Sequence, residues 1–175
     1  MTALRSRVEA MVRVWTQDSV VGPITVVAGE HGVREIAFAD TEDVDIAGRN
    51  GDRDEEVATA IDRWLSGEVH SLDFEIDMSG IDGFRRRVLD TLVQHVGWGE
   101  TVTYGELAEL AGSPGAARAV GSAMANNPIL FAVPCHRVLA AGGRIGGYGG
   151  TVMPNSDPLS IKRTLLAHEG VTVKG

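Results

Sequence analysis

The sequence predicts an α+β protein in two parts, a strand-bearing N-terminal unit followed by a helical C-terminal one. Three observations carry this. An alternating run near the N-terminus breaks at a Glu-His-Gly turn. After "MSGIDG" (Met78 to Gly83) apolar residues recur at nearly every fourth position instead of every second. The charge changes at the same place. Residues 1–77 hold seven Arg and no Lys against seventeen acids, a net −10, whereas residues 78–175 hold nine basic residues against seven acids, a net +2. Such asymmetry marks two units with different tasks, 1–77 and 78–175, and only the second suits a polyanionic partner.

"VGPITVVAGEHGVREIAFAD" (Val21 to Asp40) is read as a hairpin turning at Glu30-His31-Gly32. "TEDVDIAGRNGDRDE" is acidic and aperiodic, an exposed loop. "EEVATAIDRWLSG" places Val57, Ile61, Trp64 and Leu65 at helical spacing and stops at Gly67. "SLDFEID" alternates Leu72, Phe74 and Ile76 with polar residues, which predicts a half-buried strand. His31 and His70 stand alone as surface histidines. In the second part, "FRRRVLDTLVQHV" carries a stripe of Phe84, Val88, Leu92 and Val96, widened by Leu89 and Val93. "TYGELAELAG" opens with a capping box, Thr103 and Glu106, and ends at Gly112. "SPGAARAVGSAMANNP" predicts a second short helix with Ser113 as N-cap and Pro114 at its first position, so the pair has the form of a helix-turn-helix. That helix offers Ala, Gly and Ser on nearly every face, with Arg118 as its one long side chain. Two readings follow: a helix packed tightly in the core, or one laid in a nucleic-acid groove with the arginine projecting into it.

The single cysteine, Cys135, lies in "NNPILFAVPCHRV" (Asn126 to Val138), with a histidine as its next neighbour. One cysteine forms no internal disulfide and fits a reducing compartment, the cytoplasm. Nor can a zinc site be assembled around it. The glycine-dense "GGRIGGYGG" lacks the Gly-Lys-Ser/Thr ending of a phosphate loop. No run is apolar enough to span a membrane, and the N-terminus lacks the marks of a signal peptide. A lone cysteine is most often a small buried hydrophobe, and a Cys-His step alone does not change that.

The combination does. "TYGELA…G.P.AARAVG.AM..NP", then "PCHRV", "G.YGG" and "LL..EG", in that order from about Phe84 to Gly170, resembles the O6-alkylguanine-DNA alkyltransferases, also called methylated-DNA–protein-cysteine methyltransferases. The resemblance implies a ribonuclease-H-like N-terminal α/β domain and a C-terminal winged helix-turn-helix domain holding the site. It implies Cys135 as the alkyl acceptor, His136 as the base taking the thiol proton through a water, and Glu169 as the acid orienting that histidine. Tyr104 corresponds to the phenol that protonates or polarises the leaving base. Arg118 corresponds to the arginine filling the gap left by a flipped base, and Asn127 to a structural hinge. Tyr148 corresponds to the aromatic wall of the guanine pocket, with Val138 and Gly149 beside it. Ser113 corresponds to a phosphate contact. The implied partner is double-stranded DNA entered through the minor groove, by a monomer without metal or cofactor.

The residue types suit that chemistry. A thiolate is the protein nucleophile best matched to an sp³ carbon, and a free thiol is only a few per cent ionised at neutral pH, so it needs a base. A carboxylate holding the histidine in one tautomer completes the relay. Guanine leaves as an anion unless a proton arrives, hence the phenol. The target atom lies inside the base stack, so the nucleotide has to leave it. The thioether formed resists water, so each molecule acts once.

Two departures from the pattern bear on the site. "GGTVMPNSDPLSIKRT" is longer than the family usually carries, and its stretch from Gly149 to Asp157 is expected to act as a lid. The metal-binding N-terminal cysteines of some relatives are missing. Three rivals remain distinct: a thiol hydrolase, which needs an oxyanion hole that no motif supplies; a non-catalytic damage-recognition protein of the same fold, whose members usually carry tryptophan in place of the cysteine; and a generic helix-turn-helix regulator, which leaves "PCHRV" unexplained.

Overall fold

The computed structural model describes residues 12–39, 53–148 and 157–173. Strands β1 (Arg13–Gln17), β2 (Ile24–Gly29) and β3 (Gly32–Phe38) form an antiparallel meander in the order β1-β2-β3. The expected hairpin is β2–β3, with Gly29 opposite Gly32. A Cβ on Gly32 would run into the carbonyl of Glu75, and its φ of +117° independently favours glycine. β1 joins the sheet as a strand not foreseen from the sequence.

The expected strand over Ser71–Asp77 does not form. Val33 N–H donates to Glu75 O (2.9 Å) and Asp77 N–H to Val33 O (2.8 Å), giving one isolated bridge between Val33 and Ile76. Further along the same edge, Ile36 N–H donates to Pro128 O (2.9 Å) and Leu130 N–H to Ile36 O (3.0 Å). The outer edge of β3 is therefore divided between two segments, and neither pairs with it over a strand's length.

Helix α1 (Glu55–Leu65) is capped by Asp54, whose carboxylate accepts from Val57 N–H (3.2 Å), and it buries Val57, Ala58, Ile61 and Trp64. Helix α2 (Gly83–His95) buries Val88, Leu89 and Leu92. Val93, assigned to the same stripe from the sequence, is 41% exposed, because the buried face is narrower than the apolar spacing suggests. A short strand β4 (Val102–Thr103) leads into α3 (Tyr104–Leu110), whose capping box is present as expected. α3 ends in a Schellman motif: Gly112 N–H donates to Glu109 O (2.9 Å), and Ser113 N–H to Ala108 O (2.8 Å).

The next helix, α4 (Ala117–Ala125), starts later than expected, with Ala116 and not Ser113 at its N-cap. Pro114 and Gly115 occupy the middle of a turn closed by Ala116 N–H on Ser113 O (3.1 Å), with Gly115 at φ +83°. Pro followed by a left-handed Gly favours a type II turn over the first turn of a helix. A 3₁₀ turn (Cys135–Arg137) runs into β5 (Val138–Leu139), which pairs in parallel with β4. Helix α5 (Pro158–His168) has Asp157 as N-cap and Pro158 at its first position. One continuous apolar core runs from Trp15, Ile24 and Val26 through Leu89 and Val120 to Leu165. Among the described residues no helix is long and apolar enough to cross a membrane.

Candidate active site

The cysteine is delivered by a tightly tied segment. Asn127, buried at the end of α4, donates from Nδ2 to Val133 O (2.8 Å) and accepts at Oδ1 from Ile129 N–H (3.1 Å). Inside this loop Phe131 has φ +66°, the only non-glycine left-handed residue among those described. Cys135, 3% exposed, opens the 3₁₀ turn and lines a cavity of about 280 Å³. The other walls are Tyr104 from α3, Gly121, Met124 and Ala125 from α4, and Gly147 with Tyr148.

The residue after the cysteine belongs to a buried polar relay. His136 Nε2 lies 2.8 Å from Glu169 Oε1, and both side chains are out of solvent. Arg137 grips the same carboxylate with two arms, Nε to Oε2 and Nη2 to Oε1, each at 2.8 Å, and spends Nη1 on Val96 O (2.7 Å). Gly99 N–H donates to Oε2 (3.2 Å). Glu169 sits at the C-cap of α5, where Gly170 N–H on Ala167 O and Val171 N–H on Leu166 O form a second Schellman motif that fixes its direction.

The protonation states follow from these contacts. Burial alone would raise the Glu169 pKa, but hydrogen bonds from His136 and Arg137 outweigh it and bring it down to about 2. Burial lowers the pKa of His136 against the pull of Glu169, which leaves the ring neutral. An ionised Glu169 only accepts hydrogen bonds, so the proton of the neutral ring is on Nε2. Nδ1 then carries a lone pair, and among the described residues it has no hydrogen-bond partner. It is free to take a proton.

Burial pushes the Cys135 thiol up, opposed by hydrogen bonding to Asn127, the charge of Lys162 and hydrogen bonding to Tyr148. Burial also raises Tyr104 and, more strongly, Tyr148, so both stay hydroxyl donors. The Tyr104 hydroxyl donates to Gly147 O (3.1 Å).

Two functional residues were missed in the sequence. Arg137 was legible only as part of "PCHRV", with no role. Lys162 is fully buried, donates to Val138 O (2.5 Å) and Gly147 O (2.9 Å), and lies 5.8 Å from the centre of the Tyr104 ring. Burial lowers its pKa to about 8 despite the opposing effect of Cys135. A signal existed, for Lys162 lies within the helical spacing of Ile161, Leu165 and Leu166 on the apolar face of α5.

The remaining expected residues are placed variously. Arg118 is exposed on α4, three and seven residues before the cavity residues Gly121 and Ala125 and hence on their side of the helix. Val120, Ala123 and Met124 of the same helix are buried, with Met124 also in the cavity wall, so part of α4 is packed tightly into the core. Ser113 uses its carbonyl to close the turn before α4. Val138 is buried in β5 and does not line the cavity, although its carbonyl anchors Lys162. Gly149 and the expected lid, apart from Asp157, lie outside the described residues.

A buried thiol with a neutral histidine beside it, the histidine held by an ionised carboxylate, opens into a cavity under two short helices. This arrangement suits a nucleophilic cysteine, in a protein of mixed helix and strand. A family model described as the DNA binding domain of 6-O-methylguanine DNA methyltransferase matches residues 83–171, half of the chain. A methylated-DNA–protein-cysteine methyltransferase of Mycolicibacterium paratuberculosis is 49% identical over 106 residues, 61% of this chain and 59% of that protein. One from Mycobacterium leprae is 44% identical over 114 residues, 65% and 64% of the two chains. The chain thus spans about three-fifths of the length of these curated relatives. The crystal structure of Mycobacterium tuberculosis OGT in complex with DNA superposes with a TM-score of 0.72 at 34% identity, covering 90% of this chain and 92% of that one. The O6-methylguanine-DNA methyltransferase of Pyrococcus kodakaraensis gives 0.66 at 30% identity, covering 92% and 100%. The chain belongs to the 6-O-methylguanine DNA methyltransferase family.

Proposed function

We propose that this protein repairs DNA by direct reversal, moving the alkyl group of O6-alkylguanine, and of O4-alkylthymine where it fits, irreversibly onto Cys135, once per molecule. The observation that carries the proposal is the thiol in the cavity wall with the His136–Glu169 relay behind it. The S–C bond forms as the O6–C bond breaks, and the thiol proton passes by way of a water to His136 Nδ1. The resulting imidazolium faces an anion already in place, Glu169, so its formation needs no rearrangement. Lys162 supplies positive charge beside the developing thiolate, and the departing guanine takes a proton from Tyr104.

In this reading the α3–α4 pair is the helix-turn-helix of a winged domain occupying 78–175, and 1–77 is a ribonuclease-H-like domain. α4 lies in the minor groove as the protein, a cytoplasmic monomer, binds duplex DNA. Arg118 fills the stack vacated by the flipped base. Ser113 contacts phosphate, Asn127 is the hinge, and Tyr148 walls the base pocket, with Val138 and Gly149 adjoining. No cofactor takes part. The test is to incubate the protein with duplex DNA carrying O6-methylguanine and weigh it intact. One methyl gained per molecule, confined to the Cys135 peptide, supports the proposal; continued turnover without modification of Cys135 refutes it.

A further inference from the structure

The relay is braced by one residue of the acidic N-terminal half. Trp64, in the last turn of α1, is 1% exposed and meets three parts of the site. Its ring packs edge-on to His136, with centroids 6.4 Å apart and planes at 70°. It stacks on Phe131, the left-handed residue of the cysteine-bearing segment, at 5.2 Å and 29°. It also meets His168, the neighbour of Glu169, edge-on at 5.3 Å. The backbone joins in, for the Trp64 carbonyl accepts a hydrogen bond from His168 Nε2 (3.0 Å), which places that proton on Nε2. The same carbonyl also accepts from Gly67 N–H (3.0 Å) at the C-terminus of α1, so the His168 bond occupies its second lone pair.

From these contacts we infer that Trp64 and His168 are positioning residues for the alkyl transfer: Trp64 holds the His136 ring from the side, and the His168 bond anchors the end of α5 that presents Glu169. The inference rests on the alkyl-acceptor reading above. Glu169 fixes one nitrogen of His136, and Nδ1 has no protein partner among the described residues, so the packing around the buried ring is its remaining restraint. Trp64 supplies the lateral restraint. A cavity of about 180 Å³ already runs beside Trp64, lined also by Trp98, Phe131, Pro134 and Arg137, so a smaller side chain at 64 gives its neighbours room to relax away from the relay. The acidic half thereby takes part in the chemistry while staying away from the reacting atoms.

The test uses the full-length protein with three substitutions: Trp64→Phe, His168→Leu and His168→Gln. Two rates are followed against pH: single-turnover methyl transfer from duplex O6-methylguanine, and modification of Cys135 by iodoacetamide. Trp64→Phe and His168→Leu are expected to slow methyl transfer by about tenfold to a hundredfold, the scale of a small misplacement of reacting groups. They also shift the pH at which the thiol becomes reactive, while His168→Gln, which keeps a donor for the Trp64 carbonyl, restores most of the rate. Folded variants with the wild-type pH profile overturn the inference, whether or not they are slower, and so does His168→Gln behaving like His168→Leu. The His168 pair decides the matter if Trp64→Phe fails to fold. A wild-type protein that takes up no methyl group instead overturns the alkyl-acceptor reading itself.

Discussion

Replacing Glu169 by glutamine removes one charge from a site where three residues donate to it, and the cost can be worked out in two ways. The Glu169 pKa falls from its ordinary value of 4.5 to about 2. At about 1.4 kcal/mol per pH unit, that fall makes the ionised form worth about 3 kcal/mol to the folded state. Independently, removing one partner from a buried ion pair costs about 3–5 kcal/mol, because the other charge (here Arg137) stays buried and uncompensated. Both routes give a loss of about 3 kcal/mol at neutral pH. The sign of the pH dependence follows from the lowered pKa. The contribution is complete above the unfolded value of 4.5 and is lost as pH falls towards 2, so the gap between wild type and Glu169→Gln should be about halved by about pH 3. Urea unfolding of both proteins at several pH values measures it. A gap below about 1 kcal/mol at neutral pH, or one that does not change on acidification, would refute the charge assignment of the relay.

Cys135→Ser should take up no methyl group yet bind duplex DNA as before; an active serine variant sinks the thiolate mechanism. Arg118→Ala should slow repair of duplex DNA far more than reaction with free O6-benzylguanine, which requires no flipping, and equal losses would assign Arg118 to the fold or the pocket. Lys162 holds its charge below about pH 8, so Lys162→Met should lower thiol reactivity towards iodoacetamide below that pH and converge with wild type above it. The loss should be about tenfold, the effect of one nearby opposite charge, and an unchanged profile would remove Lys162 from the chemistry.

Local signals carried much of the architecture. The capping box at Thr103 and Glu106 and the β2–β3 hairpin are each decided by contacts within a few residues, and each is present as expected. Errors arose where distant partners or competing local motifs decide. Leu72, Phe74 and Ile76 alternate like a strand, yet the edge they need is partly taken by residues 128–130. Ser113 and Pro114 suit a helix start, but Gly115 makes the same residues a turn. At the site, Cys135, His136 and Glu169 were legible as an ordered motif. Arg137 and Lys162 were not, because a buried cation is recognisable only by the acceptors that fold around it. Trp64 was assigned to the core of α1, and nothing in its helical spacing indicates that its other neighbour is His136, the proposed base.

The divided edge of β3 has a consequence for how the chain is made. The sheet and α1 leave the ribosome well before residues 128–130, so the β3 edge at Ile36 waits bare while the C-terminal part is synthesised. An unpaired edge is where nascent chains associate wrongly. The segment that finally covers it is the one that leads to Cys135, so the step that protects the nascent protein from association is also the step that seats the cysteine.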